Sequence, residues 1–502
     1  MARSSKPKST NSSNGHVHVR MYRHGLGDCF LIRFPNSGEN GSFNVLIDCG
    51  LIGVAENPKP TMQKVVADIA AACNNHIDVV IMTHEHWDHA SGFSTQQAQD
   101  AFDKIDIDHV WYAWTEDPAN ALGKKLRKER AAKVNALQAA AIALRGSGSP
   151  LGVQRANRVE SILQFFGVES TSDLQALAAA GKDGALGKTR SAFEYLARRR
   201  GVKVRYCHPE NPPIALPGVE GVRVYVLGPP EDEGLIKRSS PTKKGKEVYE
   251  FASDFAIDDN MRAAFERLND RSGAIGGPDC PFEPSLCIVP GKGSRPIPPK
   301  LAALKAATWD DPDLEWRRIE IDWTASAETL ALNLDSHTNN TCLVIAFELV
   351  KTGRVLLFAA DAQVGNWLSW QDTKWRVKDG NDTRTVTGPE LLQRTVFYKV
   401  GHHGSHNATL RALGLEQMTS EDLVAFVPVF KDQAAKNRWL NMPFDPLMKR
   451  LEEKTGGRVV FSDPQKQAPT KGSLIGLSDK QKKAFITGLT TNPLYYEYSF
   501  AL

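Results

Sequence analysis

Directly behind the strand-like run Asp78–Met82 the chain reads Thr83-His84-Glu85-His86-Trp87-Asp88-His89, three histidines and two acids in seven residues. A carboxylate or imidazole at the mouth of a buried strand is costly unless something neutralises it. These side chains are also the ones that take zinc and similar divalent ions. A loop leaving a strand aims His84 and His86 one way while Asp88 and His89 turn the other, so a single stretch supplies two metals. The spacing therefore demands a fold in which a buried strand ends at an open, cation-binding edge.

Around that strand, short apolar runs alternate with helical patterns, which predicts an α/β fold. Residues 1–15 are a polar tail. Residues 16–34 and 43–48 read as the two strands of a hairpin, with turns at Gly27 and 35–41. Met62, Val65, Val66, Ile69, Ala70 and Cys73 recur at helical spacing, and residues 16–115 form a first half of the core. Residues 116–200 read as a helical insertion, 201–230 as further core strands, and 231–330, rich in Gly, Pro and Lys, as a loop-rich insertion. Residues 331–502 supply the second half, with apolar runs at 342–349, 355–360, 396–400, 424–429 and 458–462. Asp445-Pro446 predicts a helix start with Asp445 as N-cap.

Composition excludes several classes. No stretch of 18 uncharged apolar residues exists and the first twenty residues are polar and basic, which argues against a membrane span and a secretory signal. Seven cysteines without a Cys-x-x-Cys read as reduced thiols of a cytoplasmic protein. The net charge is +4, and Arg3, Lys6, Lys8 and Arg20, with no acid among the first twenty residues, account for all of it. Nucleic-acid binding would thus need a local patch. Lys124, Lys125, Arg127, Lys128, Arg130 and Lys133 form one candidate, and Arg198, Arg199, Arg200, Lys203 and Arg205 another. A solvated helix face explains the first equally well. Trp111, Tyr112 and Trp114 either pack in the core or roof a site and stack a base.

The His-x-His-x-Asp-His pattern behind a buried strand resembles the signature of the metallo-β-lactamase fold, a four-layer αββα sandwich with a metal centre at one edge of its sheets. The resemblance implies further ligands at later strand ends. His337, in Ser336-His337-Thr338-Asn339-Asn340-Thr341, corresponds to the third histidine of the first metal, beside His84 and His86. Asp361, at the exit of Val355–Ala360, corresponds to the bridging carboxylate. The second metal takes Asp88, His89 and one of His402 and His403, with His402 preferred and the other orienting substrate. Asp48, in Leu46-Ile47-Asp48-Cys49-Gly50, corresponds to an aspartate that orients a ligating histidine.

Gly25-Leu26-Gly27-Asp28-Cys29-Phe30-Leu31-Ile32 and Tyr398-Lys399-Val400-Gly401-His402-His403-Gly404-Ser405 are similar to segments of the metallo-hydrolase domain of bacterial competence DNA-uptake proteins and of phosphorylcholine esterases. The likeness covers roughly residues 16–115, 195–230 and 335–465. It departs where that group often carries Gly-His-Pro and this chain has Pro443-Phe444-Asp445-Pro446. The resemblance implies two divalent ions, zinc or manganese, and hydroxide between them attacking a phosphodiester, with nucleic acid or a nucleotide as substrate. Asp88 doubles as ligand and acceptor of a hydrogen bond from that hydroxide, and Lys399, His403, Ser405 or His406 steadies the substrate, although a solvated or salt-bridged strand lysine explains Lys399 equally well. Two alternatives stay open: an esterase or lactonase using the same centre, and a subunit whose helical insertion docks a protein partner around a mainly structural metal site.

Overall fold

A computed structural model of the chain describes residues 15–36, 41–53, 57–146, 150–168, 186–239, 299–308, 311, 319–380, 382–439 and 441–502. Its frame is two large mixed sheets. The first runs, edge to edge, Leu489–Thr491 (β16), Tyr495–Ala501 (β17), His16–Tyr22 (β1), Cys29–Pro35 (β2), Ser42–Cys49 (β3), His76–Met82 (β4), Asp106–Ala113 (β5) and Lys203–Cys207 (β6). The second runs Val459–Phe461 (β15), Val424–Val427 (β14), Thr395–Lys399 (β13), Arg354–Phe358 (β10), Val344–Leu349 (β9), Val222–Gly228 (β8) and Ile214–Ala215 (β7). Lys374–Asp379 (β11) and Asp382–Thr387 (β12) form a separate hairpin.

The alternation of buried side chains dictates how these sheets stack. Phe30, Ile32, Val45, Ile47, Val79 and Ile81 turn to one face and share a core with Ile345, Phe347, Leu356 and Phe358 of the other sheet. Ring contacts cross the gap, Phe30 to Phe358 at 5.8 Å and Phe34 to Phe347 at 5.2 Å between centroids. The intervening residues, Leu31, Leu46 and Val80, turn the other way and cluster with Met62, Val65, Val66 and Ile69 of the helix Lys59–Ala72. That helix buries one i, i+3, i+4, i+7 stripe. It stops at Asn74 and Asn75, both left-handed, a conformation asparagine tolerates better than most residues.

The chain runs parallel through β3–β4–β5–β6 and through β10–β13–β14–β15, so the carboxyl ends of β3, β4, β10 and β13 can meet at one edge. Three local expectations need correction. Residues 16–34 are two strands, interrupted by the turn around Gly25 and Gly27, both at positive φ. The helix Asp445–Thr455 has Phe444 as N-cap, so Asp445 sits in its first turn facing the positive end of the helix dipole. His337, expected among ligands at strand ends, lies in the last turn of the helix Ile319–Asn339. Of the expected loop-rich insertion, residues 240–298, 309–310 and 312–318 lie outside the described residues, as do residues 1–14 of the tail, while its described part carries the helices Glu233–Ile236 and Pro299–Thr308 and the start of Ile319–Asn339. Among the described residues no helix is long and apolar enough to cross a membrane.

Candidate metal centre

Backbone geometry brings the strand ends together at a cost. Asp48, Ala360, His402 and His403 all sit at positive φ without being glycine, between 42° and 54°. Such strain persists only where the surroundings over-determine it, and functional sites are where it collects. Gly50 explains part of the sequence pattern, because a Cβ there would lie 2.3 Å from the backbone carbonyl carbon of Asp88. The same turn is laced by Asp28 N–H donating to Asp88 O at 3.0 Å and Gly50 N–H donating to Asp28 O at 3.1 Å. The Gly-x-Gly-Asp and Asp-Cys-Gly segments are thus the wall against which the histidine loop is pressed.

The hydrogen bonds then set the histidine tautomers. Asp48 accepts from Thr83 N–H (2.9 Å), from the Thr83 hydroxyl (2.7 Å) and from His89 Nδ1–H (2.7 Å). Because the Thr83 hydroxyl hydrogen is spent on Asp48, Thr83 Oγ1 accepts from His84 Nδ1–H at 3.1 Å. His403 Nδ1–H donates to Pro428 O at 2.6 Å. His402 Nδ1–H donates to Ser405 Oγ at 2.9 Å, whose own hydrogen goes to Asn407 Oδ1 at 3.0 Å. Four imidazoles therefore hold their N–H outward and present Nε2 lone pairs inward.

What those lone pairs face is more negative charge. His89 Nε2 lies 3.1 Å from Asp361 Oδ2 and 3.4 Å from Asp88 Oδ2, and His403 Nε2 lies 2.9 Å from Asp88 Oδ2. His84 Nε2, His402 Nε2, both His86 nitrogens, Asp88 Oδ1 and Asp361 Oδ2 are buried with no hydrogen-bond partner. With neutral rings these contacts would set acceptor against acceptor in a buried site, which is stable only with a proton or a metal ion between them. Two triads offer one ligand atom each within 4.8 Å of one another, His84–His89–Asp361 and Asp88–Asp361–His403, and they share Asp361. This donor set fits a divalent ion.

The electrostatics agree. Burial pushes His86 down to about 3 and His402 down to about 4, leaving neutral bases. Burial alone would lower His89 as well, but the Asp361, Asp88 and Asp48 carboxylates overrule it and hold its imidazolium above the ordinary range. Burial likewise raises Asp361 and Asp88, yet His89 overrules it in both, and both lie well below the carboxylate range. Without a metal, protons supply the cation.

Comparison with known protein families finds no family model that matches this chain, and no curated protein matches it either.

Not every expected residue converges. His337 faces away: Lys133 Nζ lies 3.4 Å from its Nδ1, and burial together with Lys133 and Lys237 pushes its imidazole down to about 3. The reason is helical. Asp335, two residues earlier and so about 200° around the helix, is the residue that looks toward the centre. Its Oδ1 is buried without a partner, Asn339 donates to its Oδ2 at 3.1 Å, and burial with the Asp361 and Asp88 charges pushes it up to about 8. Lys399, expected at the substrate, is buried, bonded to Asp28, Asp361 and the Ala360 carbonyl. Burial alone lowers its ammonium, but Asp28 and Asp361 hold it charged, so it orients Asp361. His406 is half-buried against Phe444, 6.0 Å between ring centroids.

The expected roof is also built from other residues. Trp111 lies between the sheets, and Trp114 donates its indole N–H to Pro229 O at 3.0 Å. Phe165 and Phe166 of the turn Gln164–Phe166 cover His86 instead. The first basic run is largely consumed internally: Arg127 bonds the Thr115 and Asp117 carbonyls, Arg130 pairs with Glu85 and Glu116, and Lys125 pairs with Glu233. Arg199 bonds the Phe102 and Ile105 carbonyls. Lys124, Lys128, Arg200, Lys203 and Arg205 remain exposed.

Proposed function

We propose that this chain is a metal-dependent hydrolase of the metallo-β-lactamase type, a four-layer αββα sandwich that holds two divalent ions, zinc or manganese, and cleaves phosphodiesters of nucleic acid or nucleotides. The observation that carries the reading is the inward set of Nε2 lone pairs around the shared Asp361, each with its N–H tied off behind. Face-to-face sheets with helix-covered outer faces support the architecture. His84, His86, Asp88, His89, Asp361 and the His402–His403 pair would hold the ions. Such ions, when bound, lower the pKa of water toward neutrality and polarise the bond to be cut.

The chain's own residues do the positioning. Asp48 orders His89 directly and His84 through Thr83. Lys399 and the His402 backbone N–H, 3.2 and 2.9 Å from Asp361 Oδ1, leave Oδ2 of that carboxylate for the centre. No side chain at the site is set up as a covalent nucleophile. Ser405 both accepts from His402 and donates to Asn407, and burial pushes the Cys29 and Cys342 thiols up, away from the reactive thiolate. Water is the nucleophile this arrangement favours. The similarity of Gly25–Ile32 and Tyr398–Ser405 to phosphodiester-cleaving enzymes favours phosphorus over an acyl carbon.

The test is turnover by the full chain loaded with zinc or manganese on single- and double-stranded DNA, RNA and bis(p-nitrophenyl) phosphate. Phosphodiester cleavage that falls at least a hundredfold in Asp88→Ala is the expected result. Cleavage of carboxylic esters or lactones alone would replace the substrate class with the acyl one. Metal uptake without any turnover would contradict the hydrolase reading.

A further inference from the structure

The candidate ligands lie beneath aromatic rings. The Phe165 and Phe166 centroids are 5.4 and 4.8 Å from the ring of His86. Phe165 also lies 6.0 Å from His402 and stacks on Trp439, at 4.6 Å and an interplanar angle of 24°. The candidate ligands themselves are at most 5% exposed, and these rings are part of what buries them.

Trp439 stands apart from six other tryptophans. Trp87, Trp111, Trp114, Trp367, Trp370 and Trp375 are all buried, whereas Trp439 is half-buried. It is held at the end of the helix Lys431–Lys436, Trp439 N–H donating to Ala434 O at 2.9 Å and Arg438 N–H to Ala435 O at 3.0 Å. Those two bonds make a helix-ending motif whose left-handed position ordinarily belongs to glycine. Here Arg438 fills it, at φ 68°, one residue before Trp439 and with an exposed side chain. A partly exposed indole on a fixed backbone, with a cation beside it and the candidate centre behind it, has the parts of a stacking platform for a base joined to a phosphate.

We propose that Phe165 and Trp439 form a nucleobase subsite, in which the base of the substrate takes the place of Phe165 on the indole of Trp439 while Arg438 meets a neighbouring phosphate. The exchange gives the indole of Trp439 a new ring partner in place of Phe165, which offsets part of the contact that Phe165 gives up. This deepens the phosphodiesterase reading and rests on it: the favoured substrates carry a planar base next to the bond that is cut.

The test is isothermal titration of the metal-loaded full chain with deoxyadenosine 5′-monophosphate and with deoxyribose 5-phosphate, alongside tryptophan fluorescence. The nucleotide is expected to bind at least tenfold tighter than the base-less sugar phosphate and to quench fluorescence. In Trp439→Leu that preference is expected to fall to within threefold, with metal content unchanged and the quenching lost, while Trp439→Phe keeps most of the preference. Equal binding of the two probes by the wild type, binding of neither, or an undiminished preference in Trp439→Leu would overturn the subsite. A wild-type chain that takes up no divalent ion would contradict the hydrolase reading, and the subsite with it. Metal uptake without base preference would contradict the subsite alone.

Discussion

Glu85 stands between two candidate ligands yet turns its carboxylate away from them, to within 3.4 Å of Arg130 Nη2. Arg130 also donates to Glu116 at 3.2 Å, and Arg190 holds the other oxygen of Glu116 at 2.9 Å. Glu85, Glu116 and Arg130 are all buried. A buried ion cluster is weak evidence of net stability, but removing one partner strands charge in a low dielectric. Arg130→Met is therefore expected to destabilise the chain by about 3–5 kcal/mol. Adding Glu85→Gln should recover a substantial part of the loss, since it removes one stranded charge. Urea unfolding of the two variants checks this, and an Arg130→Met transition within about 0.5 kcal/mol of wild type would refute it. At this scale the ligand types were legible in sequence: His84, His86, Asp88 and His89 announce themselves by spacing alone. The turning of Glu85 was not, because it depends on an arginine in a helix some 45 residues later.

Elements were legible where one period dominates. The buried parallel strands are short apolar runs bounded by turn residues, and β4, β10 and β13 follow from that pattern. The helix Ile319–Asn339 was missed altogether, its first residues having been read as the end of a loop-rich insertion, and with it the assignment of His337. Ser-His-Thr-Asn-Asn reads as a turn until tertiary packing extends the helix through it, and helical phase then exchanges His337 for Asp335. The pairing of β1 with β17, which joins the two ends of the described chain, has no local signal either. It is fastened by Glu497, which takes Arg20 Nε at 2.8 Å and Arg33 Nη2 at 3.0 Å. Burial alone would raise the Glu497 carboxyl, but His18, Arg33 and Arg20 overrule it and hold it down at about 2. A folded pKa below the unfolded value of 4.5 stabilises the fold above pH 4.5. That contribution, about 3 kcal/mol, is lost as pH falls from 4.5 toward 2. Melting temperature should therefore drop more steeply across that window in wild type than in Glu497→Gln, and parallel curves would refute the assignment.

The whole molecule assembles its candidate centre from places the sequence keeps apart: Asp48 and the 84–89 loop from one sheet, Asp361 and His402–His403 from the other. Each strand end carried a readable cue to the candidate groups, but not to their grouping: Asp88 and Asp361 share a triad with His403, where His402 was preferred. The cover was not. Phe165 lies in the helical insertion and Trp439 beyond the last ligand, and nothing near either residue signals that they stack. The internal pairing of the first basic run had no local signal for a related reason, since the acidic partners of Lys125 and Arg130, Glu85, Glu116 and Glu233, lie on other elements. The central claim concerns charge: buried lone pairs from both sheets face one another and require cations. It is tested most directly by metal analysis of the purified chain after loading with zinc or manganese and exhaustive dialysis. Two ions per wild-type chain are expected, retained in His337→Ala and depleted in Asp361→Ala. A wild type that keeps no ion, or an Asp361→Ala variant that keeps as many as wild type, would contradict the account.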